Sequence, residues 1–260
     1  DLTPEIIDEH LRSYASGKAQ HYAGVGDDMK SKTKALNRKR KSGTVNRMRS
    51  ALSVVFRFAK KKRIWGSNPV DHVPKLVENN TRVRYLSNEE RSRLLIACKD
   101  SRWDRMFLLV LMAITTGARK SELLNLNWQD IDFERREAHL GETKNGEPRV
   151  LTLIPLVIEE LKKYRGIGLV FPGYTNPRKP ARIDDHWRTA LKKATITDFR
   201  FHDLRHTAAS YLLMNGATLY ETAQVLGHRS TVTTERYAHL STDHKKALTD
   251  RVMGEVFNDA

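Results

Sequence analysis

The apolar segment from Met106 to Ile114 sets the first limit on what this chain can fold into. It is the longest apolar run of the sequence, yet it is far shorter than the roughly 18 residues of a membrane-spanning helix, and charged residues flank it. The apolar pattern extends from Trp103 to Thr116 and stops at Gly117, which predicts a helix that ends at a glycine. With 39% hydrophobic residues, the chain has enough apolar material for a core, and we expect no membrane contact.

Positive charge is concentrated in the first third of the chain. The 260 residues carry a net charge of +15, and residues 1–84 hold 19 Lys and Arg against 8 Asp and Glu, which gives +11. Residues 85–260 add only +4. A cationic module of this kind can bind nucleic acid through counterion release without reading its sequence. The alternatives are a solvated basic surface or an affinity for anionic lipid, and the lipid reading lacks an amphipathic segment rich in Trp or Phe.

The single cysteine, Cys98, limits both redox chemistry and metal binding. One thiol excludes an internal disulfide and a zinc site built from several cysteines. Cys98 continues the helical apolar pattern of the residues before it, which predicts a buried core residue rather than a reactive thiol. A reducing cytoplasm suits such a chain, and residues 1–4 do not resemble the basic start of a signal peptide. Because the first residue is Asp1 and not Met, we expect further residues upstream.

Prolines and a polar segment divide the chain into two predicted domains. Asn68-Pro69 and Val73-Pro74 end the first module, and the polar residues 77–84 are the best candidate for a linker. We therefore predict a helical DNA-binding domain over residues 1–76, a linker over 77–84, and a second domain with a C-terminal tail over 85–260.

Three helices are predicted in the first domain. Thr3-Pro4 begins the first helix, the segment from Asp27 to Lys41 is expected to form the second, and Thr44 can cap the third. Apolar residues of the third helix recur at helical spacing, and cationic residues occupy mainly its other faces. The candidate DNA contacts in this region are Arg47, Arg49, Arg57, Lys60, Lys61 and Lys62.

The second domain is predicted to be mainly helical with one small sheet. Ser87 to Glu90 and Thr218 to Glu221 have the pattern of capping boxes at helix starts. Asn145-Gly146 is the strongest short hairpin signal, and it places Lys144 at a turn before a strand that begins at Arg149. Further helices are expected over residues 156–164, 183–194 and 202–215. The predicted fold class is α+β, mainly α with a small antiparallel sheet.

Six polar side chains have the types that chemistry on a phosphodiester requires. Arginine binds phosphate oxygens with two parallel hydrogen bonds, histidine exchanges protons near neutral pH, and tyrosine can be a covalent nucleophile. Each residue also has a structural alternative, since His228 can cap a helix, Tyr237 can be a packing residue and Lys144 can be a solvated turn residue. The spacing of His202 and Arg205 places both on one helix face. The six candidates are Arg119, Lys144, His202, Arg205, His228 and Tyr237.

The order and spacing of these residues resemble the tyrosine recombinase (phage integrase) family. The resemblance covers essentially the whole chain, and Thr44 to Val70 is similar to the helical core-binding domain that precedes the catalytic domain in this family. The matching catalytic segments are Thr116-Gly-Ala-Arg119-Lys-Ser-Glu122-Leu, Thr143-Lys144-Asn-Gly, His202-Asp-Leu-Arg205-His-Thr, Leu226-Gly-His228-Arg-Ser and Thr234-Glu-Arg-Tyr237-Ala-His-Leu.

The resemblance implies a site-specific DNA recombinase that cleaves and rejoins DNA in integration, excision or inversion. Arg119 and Arg205 would bind the scissile phosphate and offset the charge of a pentavalent transition state. Tyr237 would attack phosphorus and form a 3′-phosphotyrosyl link, while Lys144 would protonate the leaving 5′-oxygen. No ATP is implied, because the phosphotyrosine keeps the bond energy for religation.

The other matched residues would support this reaction. The tyrosine would need a base, or a cationic field that favours its phenolate, and His202 is the family's candidate for that help. His228 would hydrogen-bond the phosphate. Glu122, three residues after Arg119, would hold that arginine in place. The cationic side chains supply the charge that a metal ion gives other phosphoryl-transfer enzymes, so the resemblance implies neither a metal nor another cofactor.

The resemblance also implies partners and a location. Both domains would form a clamp around double-stranded DNA, and four protomers would assemble on two synapsed recombination sites, with a four-way junction as intermediate. Accessory DNA-bending or directionality proteins are further expected partners. Apolar residues in the tail, Val252, Val256 and Phe257, would dock on a neighbouring protomer or pack on their own domain. The expected location is the prokaryotic cytoplasm, at the nucleoid or a mobile element.

Two other functions fit parts of the same sequence. A type IB topoisomerase shares the tyrosine nucleophile and the cationic residues but relaxes supercoils as a monomer. A non-catalytic DNA-binding protein is the second alternative, because Thr218 to Leu240 can be interpreted as a helix-turn-helix.

Overall fold

The computed structural model describes residues 2–18, 20–25, 31–35, 38–78, 83–141, 148–228 and 232–258 of the chain. Contacts within the chain divide it into two units, residues 1–80 and residues 81–260. The break lies inside the segment 77–84 that the sequence predicts as a linker. Each unit has a buried apolar core of its own.

The first unit is built on two amphipathic helices. Helix α1 (Pro4–Ser16) begins at Thr3, whose side chain caps the first turn as predicted, and ends at Gly17 with a φ of 82°. Helix α2 (Ser42–Lys61) packs against α1 and against the short 3-10 helix Pro69–His72. The buried core of this unit consists of Ile7, Leu11, Val45, Phe56, Val70 and Val73.

The helix predicted over residues 27–41 is wrong, because this region contributes to a β-hairpin. Strand β1 (Gln20–Val25) pairs with strand β2 (Ser31–Ala35) in antiparallel register, with Tyr22 opposite Thr33. Ser31-Lys-Thr-Lys-Ala alternates residue by residue, which is the period of a strand. The many cationic residues suggested a helix, but the segment has no apolar stripe that a helix could bury.

The second unit is organised around the apolar segment, which forms helix α4 (Met106–Thr116). All but one of its residues are buried. A helix that is apolar on every side needs neighbours on every side, and α4 packs against α3 (Asn88–Lys99), α5 (Lys120–Leu124), α6 (Pro155–Lys162) and α8 (Asp203–Met214). Each large apolar side chain buried here stabilises the fold by about 1.5–3 kcal/mol relative to an exposed one.

A three-stranded antiparallel sheet and four more helices complete the described part of this unit. The strands β3 (Ile131–Asp132), β4 (Glu137–Leu140) and β5 (Arg149–Thr152) lie in the order β3-β4-β5. The predicted hairpin and the mainly helical α+β class are confirmed, whereas the turn residues Lys144 and Asn145-Gly146 lie outside the described residues. The remaining helices are α7 (Asp184–Lys193), α9 (Leu219–Leu226), α10 (Val232–Glu235) and α11 (Thr242–Asn258).

The helix starts predicted at Ser87 and Thr218 are confirmed, whereas Thr44 lies inside α2 and does not cap it. Ser87 and Thr218 each form a capping box with the glutamate three residues later. Helix α4 ends at Gly117 (φ 61°) and helix α9 ends at Gly227 (φ 66°), both left-handed. Gly117 is also a point of close approach, since a Cβ there would lie 2.3 Å from a methyl carbon of Leu226. These two glycines end the helices that carry Arg119 and His228 just beyond them.

The prediction that Cys98 is a core residue is also confirmed. Cys98 is buried, and burial raises the pKa of its thiol to about 12, so that it is neutral at physiological pH. Among the described residues, no helix combines the length and the apolar character needed to cross a bilayer.

Candidate active site

Five of the six predicted catalytic residues lie at the ends of helices that pack on one another. Arg119 precedes α5, His202 and Arg205 lie at the start of α8, His228 follows α9, and Tyr237 follows α10. Helix α8 packs against α4 and α9, and α9 packs against α10, which gathers these helix ends. The sixth residue, the hairpin lysine, lies outside the described part of the chain.

Arg205 is the most deeply buried charge of the group. It is 4% exposed, and its Nη1 donates a hydrogen bond to the Gly117 carbonyl at 2.8 Å. Its Nη2 is also buried but has no hydrogen-bond acceptor among the described residues. Burial and repulsion by Arg119 and Arg149 lower the pKa of Arg205 to about 10. A buried guanidinium with an unsatisfied donor, held among other cations, is suited to an anionic ligand.

Glu122 links two arginines beside Arg205. Its carboxylate accepts hydrogen bonds from the backbone amide of Arg119 at 2.8 Å and from Arg119 Nη1 at 2.5 Å. Arg149 Nη1 reaches the same carboxylate at 3.3 Å. Burial raises the pKa of Glu122, but the hydrogen bonds from Arg119 and the charge of Arg149 outweigh burial and leave it lowered. Glu122 is therefore an anion that fixes the positions of both guanidinium groups.

Arg149 was not among the residues predicted from the sequence. Besides Glu122, its Nη2 donates to the carbonyls of Thr116 and Val225, which are the ends of α4 and α9. Gly227 makes room for it, because a Cβ there would lie 2.6 Å from Arg149 Cδ. The sequence did hold a signal, since strand alternation places Arg149 on the same side as the buried Leu151. Arg149 ties the sheet to the two helices that present Arg119 and His228.

The two predicted histidines lie in the field of these arginines. Desolvation, followed by repulsion from Arg205 and Arg119, lowers the pKa of His228 to about 4. His202 is more exposed, but the same causes in the same order lower its pKa as well. The ring of His228 is fixed by a hydrogen bond between Nδ1 and Thr234 Oγ1 at 2.9 Å. Both imidazoles are therefore neutral at pH 7 in the free protein.

Tyr237 is buried beside a third histidine. The tyrosine is 2% exposed and packs among Ala208, Leu213 and Leu226. Its hydroxyl is hydrogen-bonded to Nδ1 of His206, which the sequence analysis did not select. The signal for His206 was its spacing, because it lies four residues after His202 and hence on the same helix face; the two rings meet edge to face at 5.4 Å. Burial raises the pKa of Tyr237, although Arg236 and Arg205 oppose this shift.

These side chains form a constellation suited to phosphoryl transfer through a tyrosine. Guanidinium groups close enough to repel one another, as Arg119, Arg149 and Arg205 are, can stabilise the negative charge that grows on phosphorus during attack. Neutral imidazoles can donate or accept protons, and a phenol next to a hydrogen-bond acceptor can serve as a nucleophile.

The sequence profile of the phage integrase family matches residues 84–244, well over half of the chain. The chain belongs to the phage integrase family. All five described candidates lie within the matched range.

Curated relatives and solved structures agree with this assignment. The integrase of Salmonella phage P22 is 35% identical over 192 residues, 68% of this chain and 48% of that protein. The shufflon-specific DNA recombinase of Escherichia coli is 32% identical over 206 residues, 76% of this chain and 51% of that protein. The chain thus spans about half the length of these family members.

Two solved structures support the fold. The catalytic domain of bacteriophage HP1 integrase aligns with a TM-score of 0.56 at 26% identity, over 65% of this chain and 95% of that one. The Tn1549 transposon integrase, solved with a circular intermediate DNA, aligns with a TM-score of 0.69 at 18% identity, over 97% of this chain and 86% of that one. At this identity the second likeness concerns the fold alone.

The lowered histidine pKa values predict a stability that falls in mild acid. The pKa of both His206 and His228 is about 4 in the folded protein and about 6.5 in an unfolded chain. Below pH 6.5 the unfolded state therefore binds more protons, so the free energy of unfolding should decrease as the pH falls from about 6.5 to about 4. Allowing for the solvent that still reaches both rings, we expect a loss of about 3 kcal/mol in total. Urea unfolding across this pH range measures it.

The variant His228→Asn isolates this contribution from that of the carboxylates. It keeps a polar group beside Thr234 but does not titrate, so its unfolding free energy should change less with pH than that of the wild type. Duplex DNA should have a similar effect on the wild type, because a bound phosphate raises the histidine pKa values. If the unfolding free energies of the variant and the wild type change equally with pH, His228 does not contribute to the loss of stability in mild acid.

Proposed function

We propose that this chain cleaves and rejoins DNA as the catalytic part of a site-specific recombinase. The observation that carries the proposal is Arg205, a buried guanidinium with one unsatisfied donor, which lies close enough to Tyr237 for its charge to act on the phenol. A phosphodiester suits both groups, because its phosphorus can be attacked by the tyrosine and its oxygens can accept hydrogen bonds from the arginine. The integrase and recombinase relatives of the chain support this function.

The reaction would begin with phosphate binding by two arginines. Arg205 Nη2 and the free edge of Arg119 would contact the non-bridging oxygens, while Glu122 holds Arg119 in place. The Tyr237 oxygen would then attack phosphorus, which forms the 3′-phosphotyrosyl bond and breaks the bond to the 5′-oxygen. We assign protonation of that leaving oxygen to Lys144. Attack by a 5′-hydroxyl reverses the steps and releases the tyrosine.

The histidines would complete the phosphate site. His228, fixed through its Nδ1 by Thr234, has Nε2 available for a phosphate oxygen. His202 lies at the exposed edge of the site, where an incoming duplex would meet it. Binding of an anion offsets the arginine charges that lower the pKa of both rings, so both become better proton carriers once DNA is bound.

The first unit would bind the duplex non-specifically through α2. Five of the six predicted contacts are exposed and available to phosphates: Arg47, Arg57, Lys60, Lys61 and Lys62. Arg49 differs from them, because its Nε and Nη2 donate to the carbonyls of Val73 and Val70 at 2.7 and 2.8 Å. Arg49 therefore fixes the end of the first unit, and we withdraw it from the DNA contacts. With residues 77–84 as linker, the two domains would close as a clamp around the duplex.

Recombination of two duplexes would require four protomers. Helix α11 carries exposed apolar side chains on one side, namely Val252, Met253, Val256 and Phe257, which are 40, 52, 61 and 70% exposed. A neighbouring protomer in a tetramer on synapsed DNA would cover this face. Accessory DNA-bending or directionality proteins would select the direction of the reaction, and the prokaryotic cytoplasm, at the nucleoid or a mobile element, is where the substrate lies.

The two alternative functions are not favoured. The two relatives compared above are an integrase and a DNA recombinase, which supports recombination over relaxation by a topoisomerase. The helix-turn-helix interpretation of residues 218–240 meets a structural difficulty, because the second helix, α10, covers four residues in the described part of the chain. A recognition helix that lies in the major groove needs several turns.

Covalent capture on nicked DNA tests the proposed function. The probe is a pool of duplexes with randomised recognition sequences, each with a nick near the cleavage site. Cleavage releases the short strand that carries the 5′-hydroxyl, and once this strand has diffused away the phosphotyrosine cannot be religated. Wild-type protein with EDTA should yield an adduct that survives denaturing electrophoresis, and sequencing of the captured DNA should reveal a preferred site.

The matched control is Tyr237→Phe, which removes only the hydroxyl. It should bind the selected duplex and yield no adduct. An adduct that persists in Tyr237→Phe would remove the tyrosine from its role, and a wild-type protein that relaxes supercoiled plasmid without any site preference would favour the topoisomerase alternative.

A further inference from the structure

The hydroxyl of Tyr237 has an unexpected neighbour. His206 Nδ1 lies within hydrogen-bond distance of Tyr237 Oη, and the centres of the two rings are 5.7 Å apart. The family resemblance points to His202 as the residue that deprotonates the tyrosine. Among the described residues, His202 instead contacts the ring of His206, edge to face, and makes no hydrogen bond with the phenol oxygen.

The surroundings of His206 favour the neutral ring as acceptor. His202, Asp203 and Arg205 face it from α8, and Arg236 and Tyr237 face it from the segment after α10. Desolvation, and then the charge of His202, lower the pKa of His206 to about 4, and Arg236 and Arg205 add to this effect against the opposing charge of Asp203. A neutral imidazole with its proton on Nε2 presents a lone pair at Nδ1, to which the Tyr237 O–H group can donate.

The environment of the tyrosine creates a need for such an acceptor. Burial raises the pKa of Tyr237 above its ordinary value of about 10, so the phenolate is scarce at neutral pH. Arg205 and Arg236 stabilise the phenolate only in part. A base in direct contact with the hydroxyl removes the proton while the new bond forms, and no free phenolate has to accumulate.

We propose that His206 is a further catalytic residue, which orients the Tyr237 hydroxyl and takes up its proton during attack on the DNA. The Oη–H bond breaks as the Oη–P bond forms, and the proton moves to Nδ1 of His206. The P–O5′ bond then breaks, and O5′ takes a proton from a separate acid. In religation the imidazolium returns its proton to Oη as the tyrosine leaves.

The charge of the substrate makes this transfer feasible. In the free protein the surrounding arginines oppose an imidazolium at His206. A bound phosphodiester brings one negative charge among those arginines, and the pentavalent transition state gains a second one. The basicity of His206 therefore rises as the reaction proceeds, at the stage when the proton must leave the tyrosine.

The inference rests on the proposed function, and its test uses the DNA site recovered by covalent capture. We compare the rate of adduct formation of the wild type, His206→Asn and His206→Ala on that duplex. Asparagine keeps a hydrogen-bond acceptor near the position of Nδ1 but cannot take up a proton. Both variants should slow adduct formation by about 10²–10⁴-fold, which is the usual contribution of a general base.

A substrate with sulfur in place of the bridging 5′-oxygen separates this role from that of the leaving-group acid. A thiolate departs without being protonated, so the substitution should restore adduct formation by Lys144→Ala. It should not restore His206→Asn, because the proton of the tyrosine still has no acceptor. Restoration of both variants to the same degree would overturn the proposal.

The pH profile excludes a purely structural role for His206. The wild-type rate should level off once His206 is deprotonated in the DNA complex, whereas the rate of His206→Asn should continue to rise with pH toward the ionisation of the phenol. The proposal is overturned if His206→Asn reacts at about the wild-type rate or loses the same fraction of activity at every pH.

Two checks keep the outcome interpretable. His206→Asn should retain the thermal stability and duplex affinity of the wild type, and His206→Gln replaces it in the assay if it does not fold. Failure of the proposed function would look different, since the wild type itself would then form no adduct that depends on Tyr237.

Discussion

Replacing Arg205 with methionine is expected to slow cleavage by about 10²–10³-fold without weakening the fold. The variant loses the donor that faces the phosphate, and removal of one such preorganised donor slows a reaction by about 10²–10³-fold. Burying a charge also destabilises the folded protein. The lowering of its pKa from 12.5 to about 10 corresponds to a cost on the order of 3 kcal/mol for keeping Arg205 charged in the folded protein.

Methionine fills a similar volume without that cost, although the Gly117 carbonyl loses its hydrogen bond from Nη1. Replacing a buried charge by an apolar side chain of similar size is often neutral or stabilising. We therefore expect the free energy of unfolding of Arg205→Met to be unchanged or higher by about 2 kcal/mol. Urea unfolding and the rate of adduct formation measure the two effects.

A matched control is Arg188→Met, on the exposed face of α7. The Arg188 side chain is 77% exposed, and its ion-pair partner among the described residues is Asp185, which is 86% exposed. Neither cleavage nor stability should change. If Arg205→Met cleaves DNA like the wild type, or is destabilised as much as a core cavity variant, Arg205 is not a buried charge kept for phosphate binding.

Replacing Glu122 with glutamine is expected to impair stability and cleavage together. The Glu122 side chain is 8% exposed and bridges Arg119 to Arg149, whose side chain is 11% exposed. Without the carboxylate, Arg149 becomes a buried charge without a counterion, and such a loss typically destabilises a protein by about 3–5 kcal/mol. Arg119 also loses the acceptor that holds its guanidinium, so adduct formation should fall by at least about tenfold.

Lowering the pH should remove the stabilisation by Glu122 in the wild type as well. Because the pKa of Glu122 is lowered in the fold, its contribution to stability is present above its ordinary pKa of 4.5 and is lost as the pH falls through the lower, folded value. The difference in unfolding free energy between the wild type and Glu122→Gln should therefore shrink at low pH.

Glu160→Gln is the control for burial of a carboxylate. The Glu160 side chain is 11% exposed, but its partner Lys163 is 60% exposed and can be solvated when the pair is lost. This variant should lose less than about 1 kcal/mol. The double variant Glu122→Gln/Arg149→Met should recover stability without recovering cleavage. If both glutamine variants lose the same stability, the arginine bridge has no special role.

Much of the fold was accessible from the sequence because the signals are local. Ser87 and Thr218 each cap a helix through a glutamate three residues away, and Gly117 and Gly227 adopt a backbone conformation that few other residues tolerate. The apolar run from Met106 requires burial wherever the chain places it. The exception is residues 27–41, whose three apolar residues, Met29, Ala35 and Leu36, are too few to show whether the segment has the period of a strand or of a helix.

The resemblance to the family rested on the order of six residues, and it needed no knowledge of distances. These residues are Arg119, Lys144, His202, Arg205, His228 and Tyr237. What only the tertiary structure decided is how these residues are held. Arg149 meets the carbonyl of Val225, and His206 meets the hydroxyl of Tyr237, across 76 and 31 positions of the chain. Contacts of such length depend on how whole helices pack, and a pattern of neighbouring residues cannot encode them. The unsatisfied donor of Arg205 arises in the same way, because burial is a property of the packed unit.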